Sequence, residues 1–461
     1  MKKIFCKLSQ VSPPKAILFL FLLINAILSV MFFALDEDSA VFLTIARGIL
    51  DGRVPYRDFF DHKPPGVYVA LLLPLLLDKA SIWVAKAFLL VICAVAIGLL
   101  VLAVRVVNGD REIQYWTLIS FLPAWIFWQG YTLRTEIFVA LSALASLVLA
   151  WCRRWSIAGM FLGLAVLFKQ TAALYILPLA WYAGLHQRRA VLEVYAWSFG
   201  VATLGLVAMS LVAGFDNVFQ QVILSNFAYI QNLPLSLRDR IKGLYDFIPA
   251  LPLWLASCGT VISNRHDRKA QLVAHFLAAS LIPIALSPVR YYLLPSVPFT
   301  ALLAGRMMRE IAASVRSSSA LFTAFTILST VALSSTQSTA GAFSNLYLLH
   351  QLQAAQTIKN LTLEGEPILM IAAAPQYYFL SGRYPPDKNL YLLAVNHSID
   401  KEIEAIQQIK SGRVKLVGVR NHVFTDMYAS RIRTFVEQSC MESFNFSVLE
   451  LRLYLCPNQK S

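Results

Sequence analysis

The chain has 461 residues, of which 57% are hydrophobic and 14% charged, and its formal net charge is +14. A soluble domain is typically about a quarter charged, so this composition excludes a water-soluble globular fold as the main class. The positive charge does not point to nucleic acid, because basic residues collect in the cytoplasmic loops of membrane proteins.

The N-terminus carries Lys2, Lys3, Lys7 and Lys15 and then the apolar block Ala16–Leu35. That block reaches the length of about 20 residues that a hydrocarbon core requires. It is too long for the apolar part of a signal peptide, and acids follow it instead of a small-residue cleavage site. It reads as an uncleaved anchor.

A polar segment follows, and then Pro64–Asp78. This apolar stretch is short: as a helix it reaches only about 22 Å against a core of roughly 30 Å. It opens on Pro64-Pro65 and contains Pro74, so it reads as lying in the interface. Further apolar segments occupy 82–104, 114–131, 135–151, 156–168, 171–185, 192–213, 246–262, 271–287, 290–305 and 317–337.

Loop charges orient these spans. With Pro64–Asp78 not crossing, the inner loops hold Arg105, Arg111, Arg153, Arg154, Arg188, Arg189, Arg265, Arg268, Lys269, Arg306, Arg309 and Arg316. The outer loops hold Arg134, Lys169, Arg238, Arg240, Lys242 and Arg290. Twelve against six is the expected bias, and it inverts if the segment crosses. Segments 156–168 and 171–185 are kept as two helices, since one long helix would put Arg188 and Arg189 outside; Lys169 then snorkels at the outer boundary.

The outer segments are 36–80, 214–246 and the tail 338–461. In the tail, Pro367–Ala374, Leu390–Val395, Val414–Val419 and Phe446–Cys456 read as strands, and Ile399–Ile409 and Phe424–Glu437 as helices. The expected architecture is an all-α polytopic membrane protein of about eleven spans, with interfacial helices in the first outer loop and a small C-terminal α/β domain. The domains are 1–337 and 338–461. Cys93 and Cys258 sit in apolar spans and read as inert, while Cys440 and Cys456 can pair if the tail is exported. No CxxC spacing, glycine-rich nucleotide fingerprint, repeat or inverted pair of broken helices occurs.

The first outer loop carries the chemistry. It reads Asp36-Glu37-Asp38, a short amphipathic helix over Ala40–Leu50, then Pro55-Tyr56-Arg57-Asp58 and Asp61-His62-Lys63-Pro64-Pro65-Gly66. A single acid at the exit of a span merely solvates the helix end. Three acids, followed by a polar, aromatic loop, fit partly desolvated carboxylates that act as bases. Arg134, Lys169 and Arg290 stand nearly alone at outer helix ends, against the topological bias. Each alone fits ordinary headgroup contact equally well; together they suit a lipid phosphate, which Arg binds by its fork and Lys as a point charge. Lys63 is the strongest of these cations, because paired prolines stiffen the backbone beside it.

The chemistry expected of such a set is sugar transfer from a polyprenyl-phosphate donor. A base deprotonates an acceptor hydroxyl, the hydroxyl displaces phosphate from the anomeric carbon with inversion, and a cation stabilises the leaving group. The donor supplies activation, so no nucleotide fold, cofactor or metal is required.

The ordered residues Asp36-Glu37, Ala46-Arg47, Gly52, Pro55-Tyr56-Arg57-Asp58 and Lys63-Pro64-Pro65 resemble glycosyltransferase family 39. This GT-C-type group includes protein O-mannosyltransferases and lipid A aminoarabinose transferases. Weaker matches follow in order: Arg134-Thr135-Glu136, Gly163-Leu164-Ala165 leading to Lys169, and Arg290-Tyr291-Tyr292 with Pro295. The resemblance covers roughly 16–305. It implies a GT-C-type fold with Asp36 as catalytic base and Glu37 as its substrate-positioning neighbour. It also implies Lys63 at the donor phosphate, with Arg134 and Lys169 near it. Tyr56, Arg57, Asp58, His62 and Arg290 complete the expected substrate-binding set. Asp38 departs from the family pattern and competes for the role of base. The expected partners are a polyprenyl-phosphate sugar, a lipid, glycan or protein acceptor, and membrane lipids, at the inner membrane with the site facing the periplasm or exterior. A polyprenyl-linked sugar flippase is the alternative. A scaffold presenting the tail is a third reading, but it has no need of Asp36–Lys63.

Overall fold

The computed structural model describes residues 13–107, 109–227, 251–286, 290–314, 346–371, 374–390, 398–421, 425 and 429–457. Within these residues a helix bundle is capped at one end by a small four-stranded sheet. Each expected span inside the described range overlaps a helix: Pro13–Phe32, Ile82–Val106, Arg111–Phe127, Thr135–Trp151, Trp155–Phe168, Ile176–Gly184, Arg188–Ala213, Leu251–Ser263, Arg268–Leu286 and Val297–Ser314, the last preceded by a 3-10 turn over the first residues of the expected 290–305. The expected span 317–337 lies outside the described residues. Ile82–Val106 and Arg188–Ala213 are each long and apolar enough to cross a membrane, and most of each is unburied inside the bundle. Apolar side chains facing outward are what a hydrocarbon solvent favours.

Lys169 separates two helices as expected: Trp155–Phe168 ends there, and a 3-10 turn, Gln170–Tyr175, leads into Ile176–Gly184. Ser156 Oγ donates to Glu193 Oε2 at 2.8 Å, and Ser198 Oγ donates to the Gly159 carbonyl at 3.1 Å. Trp155–Phe168 and Arg188–Ala213 therefore run parallel, with both arginine pairs, Arg153-Arg154 and Arg188-Arg189, at the same end. Lys269 Nζ donates to the Val106 carbonyl, Arg306 pairs with Asp267 and Arg309 with Asp110 at that end too, around a cleft that Trp151 also lines. The described residues assigned to inner loops thus gather at one end of the bundle; Arg316 lies outside the described residues.

The first outer loop folds as two helices, Glu37–Leu50 and Gly66–Leu75. The first starts three residues earlier than the expected Ala40, because Asp36 caps it by accepting from Ser39 N at 3.2 Å. The second is short, and Val69, Leu73, Leu76 and Leu77 on and just after it are exposed. That outward apolar face suits a helix lying in an interface. Lys86, buried on Ile82–Val106, donates to the Val30 and Phe33 carbonyls at 2.8 and 2.7 Å. It thereby satisfies carbonyls at the end of Pro13–Phe32, just before the acids.

In the tail the strands are β1 (Ile368–Ile371), β2 (Leu416–Arg420), β3 (Met441–Phe446) and β4 (Leu451–Leu455), in the order β1-β2-β4-β3. β1 and β2 are parallel, and the other pairs antiparallel. The expected single strand Phe446–Cys456 is corrected: it spans the turn of the β3–β4 hairpin, with Glu450 at a φ of 52°. Apolar residues on both sides of Glu450, with no Gly or Pro between them, conceal that reversal. Cys440 and Cys456 form a disulfide across the hairpin's open end. Helices Ile399–Lys410 and Ser430–Ser439 pack on the sheet, and the expected helix start at Phe424 lies outside the described residues. The expected strand Leu390–Val395 falls, beyond Leu390, outside the described residues.

Candidate functional site

The end of the bundle opposite the cleft holds the acids. Asp36 and Asp38 flank the start of Glu37–Leu50, and both bind Arg134: Asp36 Oδ1 lies 3.2 Å from Nη2, and Asp38 Oδ2 pairs with Nη1. Ser39 fixes the geometry. Its hydroxyl bonds the second Asp36 oxygen and accepts from Leu133 N at 2.9 Å, next to Arg134. The Arg134 guanidinium also lies over the Tyr291 ring, 3.9 Å from its centre. Burial opposes its charge, but Asp38 and Asp36 outweigh that and hold Arg134 well above its ordinary value.

Lys169 pairs with Glu136, and both are nearly completely buried. Its ammonium lies 3.4 Å from the centre of the Tyr292 ring. A small cleft beside this pair is lined by Thr171, Tyr175, Ser280, Tyr292 and Pro295. Arg290 opens the 3-10 turn Arg290–Ser296 that carries both tyrosines, and its side chain lies outside the described residues.

Lys63 is held differently. Its Nζ is 2.8 Å from His62 Nε2, and among the described residues no carboxylate lies within ion-pair distance of it. Burial, then the charges of Lys63 and Lys169, push His62 well below its ordinary pKa. A neutral imidazole with Nδ1 toward Asp61, at 3.4 Å, leaves Nε2 to accept from the ammonium. Burial works against the charge on Lys63, yet Tyr292, Asp38, Asp61 and Glu136 together hold its pKa above the ordinary lysine value.

The loop around Lys63 is tightly organised. Asp61 is buried and accepts from His62 N at 2.6 Å, Lys63 N at 3.3 Å and Tyr68 Oη at 2.7 Å. Burial raises its pKa, which the Lys63 charge and these donors oppose. Tyr56 sits at a φ of 65°, a conformation that costs on the order of 1 kcal/mol and must be over-determined by its surroundings. Those surroundings are visible: its hydroxyl donates to the Lys63 carbonyl at 2.7 Å, and Gln221 Nε2 donates to its own carbonyl at 2.5 Å. Gly66 closes the loop. A β-carbon there would stand 2.6 Å from the Leu167 carbonyl, so only glycine lets Lys63-Pro64-Pro65 approach the strand-like turn at Lys169.

The structure therefore gathers Asp36, Asp38, Lys63, His62, Arg134, Lys169 and the backbone of Tyr56 at one end. It does not bring Arg57 and Asp58 into that group: they pair with each other at 3.0 Å on an exposed turn, where Asp58 accepts from Val54 N. Proximity in sequence to Tyr56 suggested otherwise, but the bend at Tyr56 points its neighbours to solvent. Glu37 also turns away from Arg134, to Arg420 at 2.7 Å. Burial pushes Glu37 up to about 7, with Arg420 opposing and Asp38 and Asp36 adding to the rise.

Solved structures share this architecture. ArnT from Cupriavidus metallidurans bound to undecaprenyl phosphate superposes with a TM-score of 0.65 at 13% identity, over 96% of this chain and 98% of that one. Its apo state gives 0.63 at 14% identity, over 95% and 97%. The chain shares the fold of these two structures over nearly its whole length. The archaeal oligosaccharyltransferase AglB from Archaeoglobus fulgidus, in complex with an inhibitory peptide and a dolichol-phosphate, gives 0.50 at 12% identity, over 98% of this chain and 75% of that one. No protein-family model matches the chain, and no curated protein matches it in sequence.

Sequence reasoning passed over four contributors to this site. Asp61 was readable as a buried partner only through its neighbours Tyr56 and Tyr68. Tyr291 and Tyr292 stood out as a pair but not as lids on cations. Arg420 ends an otherwise apolar strand, and that isolated charge was the one signal available for it.

Proposed function

We propose that this chain is a membrane glycosyltransferase that moves a sugar from a polyprenyl-phosphate donor to a lipid, glycan or protein acceptor, with inversion. Lys63 carries this reading: in a cluster where Arg134 and Lys169 are each matched by carboxylates, its ammonium is held by a neutral imidazole. Such a charge remains available to a phosphate. The neighbours with bound undecaprenyl phosphate and dolichol-phosphate support the same ligand class.

In this mechanism Asp36 takes the proton of the acceptor hydroxyl. The oxygen attacks the anomeric carbon from the side opposite the phosphate. The bond from carbon to the phosphate oxygen breaks, and its electron pair leaves on the phosphate. Lys63 meets the negative charge that develops there, the kind of preorganised stabilisation that contributes most to such reactions. Arg134 orients Asp36, and Ser39 limits its rotation. Asp38 shares Arg134 but is the more exposed of the two, at 40% against 17%, which favours Asp36 as base. Lys169 and Glu136 line the floor beside Lys63, while Arg290 is assigned to the same phosphate. The site faces the periplasm or exterior of an inner-membrane protein; the Cys440–Cys456 disulfide supports an oxidising side for the tail that packs on it.

The test is transfer by purified protein from a labelled polyprenyl-phosphate sugar to an envelope extract. Wild type yields labelled product, and Asp36→Asn does not while remaining folded. A flippase needs no base, so undiminished lipid translocation by Asp36→Asn with no transfer by wild type overturns the reading.

A further inference from the structure

Three acids in succession, Asp36, Glu37 and Asp38, open the first loop helix, and Arg134 meets two of them. The third is met from the far end of the chain. Arg420, at the end of β2, donates through Nη1 to Glu37 Oε1 at 2.7 Å and through Nη2 to Tyr347 Oη at 3.3 Å. Two more contacts bind the same helix to the tail. Gln351 takes both polar groups of Leu35, accepting from its N–H at 3.0 Å and donating to its carbonyl at 3.1 Å, immediately before Asp36. At the other end Arg47 donates to the Gly382 carbonyl at 3.0 Å; Gly382 has a φ of 71°, and a β-carbon there would meet the guanidinium at 2.7 Å.

The tail thus holds the acid-bearing helix at its start, along its first turn and near its end. A packing contact alone needs no charge at the first turn. Apolar pairs of similar volume pack as well as an ion pair and avoid its desolvation. Arg420 is 16% exposed and Glu37 40%, so the loss of hydration falls on the arginine, and it is the choice of Arg here that asks for a role.

We propose that Arg420 is a positioning residue of the transfer site: by binding Glu37 it leaves Arg134 to Asp36 and Asp38 alone. This rests on the glycosyltransferase reading above. Without Arg420, three carboxylates within one helical turn compete for one guanidinium, and Asp36 loses its fixed partner. Arg420 touches neither donor nor acceptor in this scheme and acts through Glu37. The C-terminal sheet is then part of the catalytic apparatus, not an appended module.

Titration supplies an independent readout. The groups facing Glu37 among the described residues are Asp36 and Asp38 on its own helix and Arg420 from β2, with Tyr347 and Tyr377 beyond Arg420. Glu37 titrates at about 7, raised by burial, and Arg420 is what holds it down. Below that pH Glu37 gains a proton and the pair loses its charge. Removing Arg420 moves the titration to higher pH, and Glu37 then competes for Arg134 only above that raised midpoint, where it carries its charge.

The experiment is the pH profile of kcat/KM for lipid-donor transfer by full-length wild type, R420Q, R420K, E37Q and R420Q/E37Q. Wild type should show no loss from Glu37 as the pH crosses about 7, because Arg420 balances the carboxylate above that pH and no third charge competes below it. R420Q should fall about tenfold or more on the alkaline side of the raised Glu37 titration, through kcat more than through donor KM, as expected when a charged hydrogen bond is lost. It should regain activity on acidification as Glu37 takes its proton, and R420K should lose less. In the E37Q background R420Q should cost little more and show no such step, because the charge to be balanced is gone. A wild-type profile in R420Q overturns the proposal. So does an equal loss from R420Q in the E37Q background, which marks a purely structural role. Should R420Q not accumulate as folded protein, a wild-type profile in R420K overturns it alone. Wild type without transfer overturns the glycosyltransferase reading and this inference together.

Discussion

The two ends of the bundle treat charge in opposite ways. At the cleft end, Arg306 and Asp267 are 37% and 35% exposed, and Arg309 and Asp110 are 45% exposed each. At the acid end, Arg134 and Asp36 are 12% and 17% exposed, and Lys169 and Glu136 are 8% and 4%. Exposed pairs gain little from each other and are dispensable. Buried pairs lose several kcal/mol of hydration per ion, so their retention points to work done by the charges themselves. The aromatic lids repeat the contrast: Tyr291 and Tyr292 cover cations only at the acid end among the described residues.

This contrast is best broken by substitutions at matched positions. Asp36→Asn should reduce transfer most, by about a thousandfold or more, since a positioned base contributes roughly 10²–10⁴. Lys63→Ala should reduce kcat/KM for the lipid donor by about a hundredfold, with donor titrations weakened in parallel; an unchanged donor affinity would count against its place at the phosphate. Glu136→Gln strands the Lys169 charge in a buried setting and should destabilise the protein by about 3–5 kcal/mol in thermal or detergent unfolding. Arg309→Gln, at the opposite end, should change stability by less than about 1 kcal/mol and leave transfer at the wild-type rate. If it matched Glu136→Gln, the distinction between the two ends would fail.

The sequence carried the local features of this design well. The shortness of Pro64–Asp78 and its prolines set it apart from the longer apolar segments, and it folds as the short Gly66–Leu75 helix with an exposed apolar face. The isolated Lys169 between two short apolar runs marked a helix break, and the chain bends there. Asp36 followed by Ser39 encodes its own helix cap. What depended on chain reversal or on distance was not legible. The turn inside Phe446–Cys456 holds neither Gly nor Pro, so neither of the strongest turn signals marks it. The bend at Tyr56 is held by the Lys63 carbonyl and by the distant Gln221, and no Gly or Asn at that position announces the outward turn of Arg57 and Asp58. Arg420 and Gln351 reach the acid helix from more than 300 positions away, and one sequence without the fold does not join them to it.

Sugar transfer through Asp36 is tested most directly in cells, by mass spectrometry of the membrane lipids and surface glycans of a strain lacking this chain, with and without wild-type or Asp36→Asn protein. The expected result is that one polyprenyl-phosphate sugar accumulates and one envelope glycoform disappears on deletion. Wild type reverses both changes and Asp36→Asn reverses neither. Unaltered glycans on deletion, or full restoration by Asp36→Asn, would contradict it.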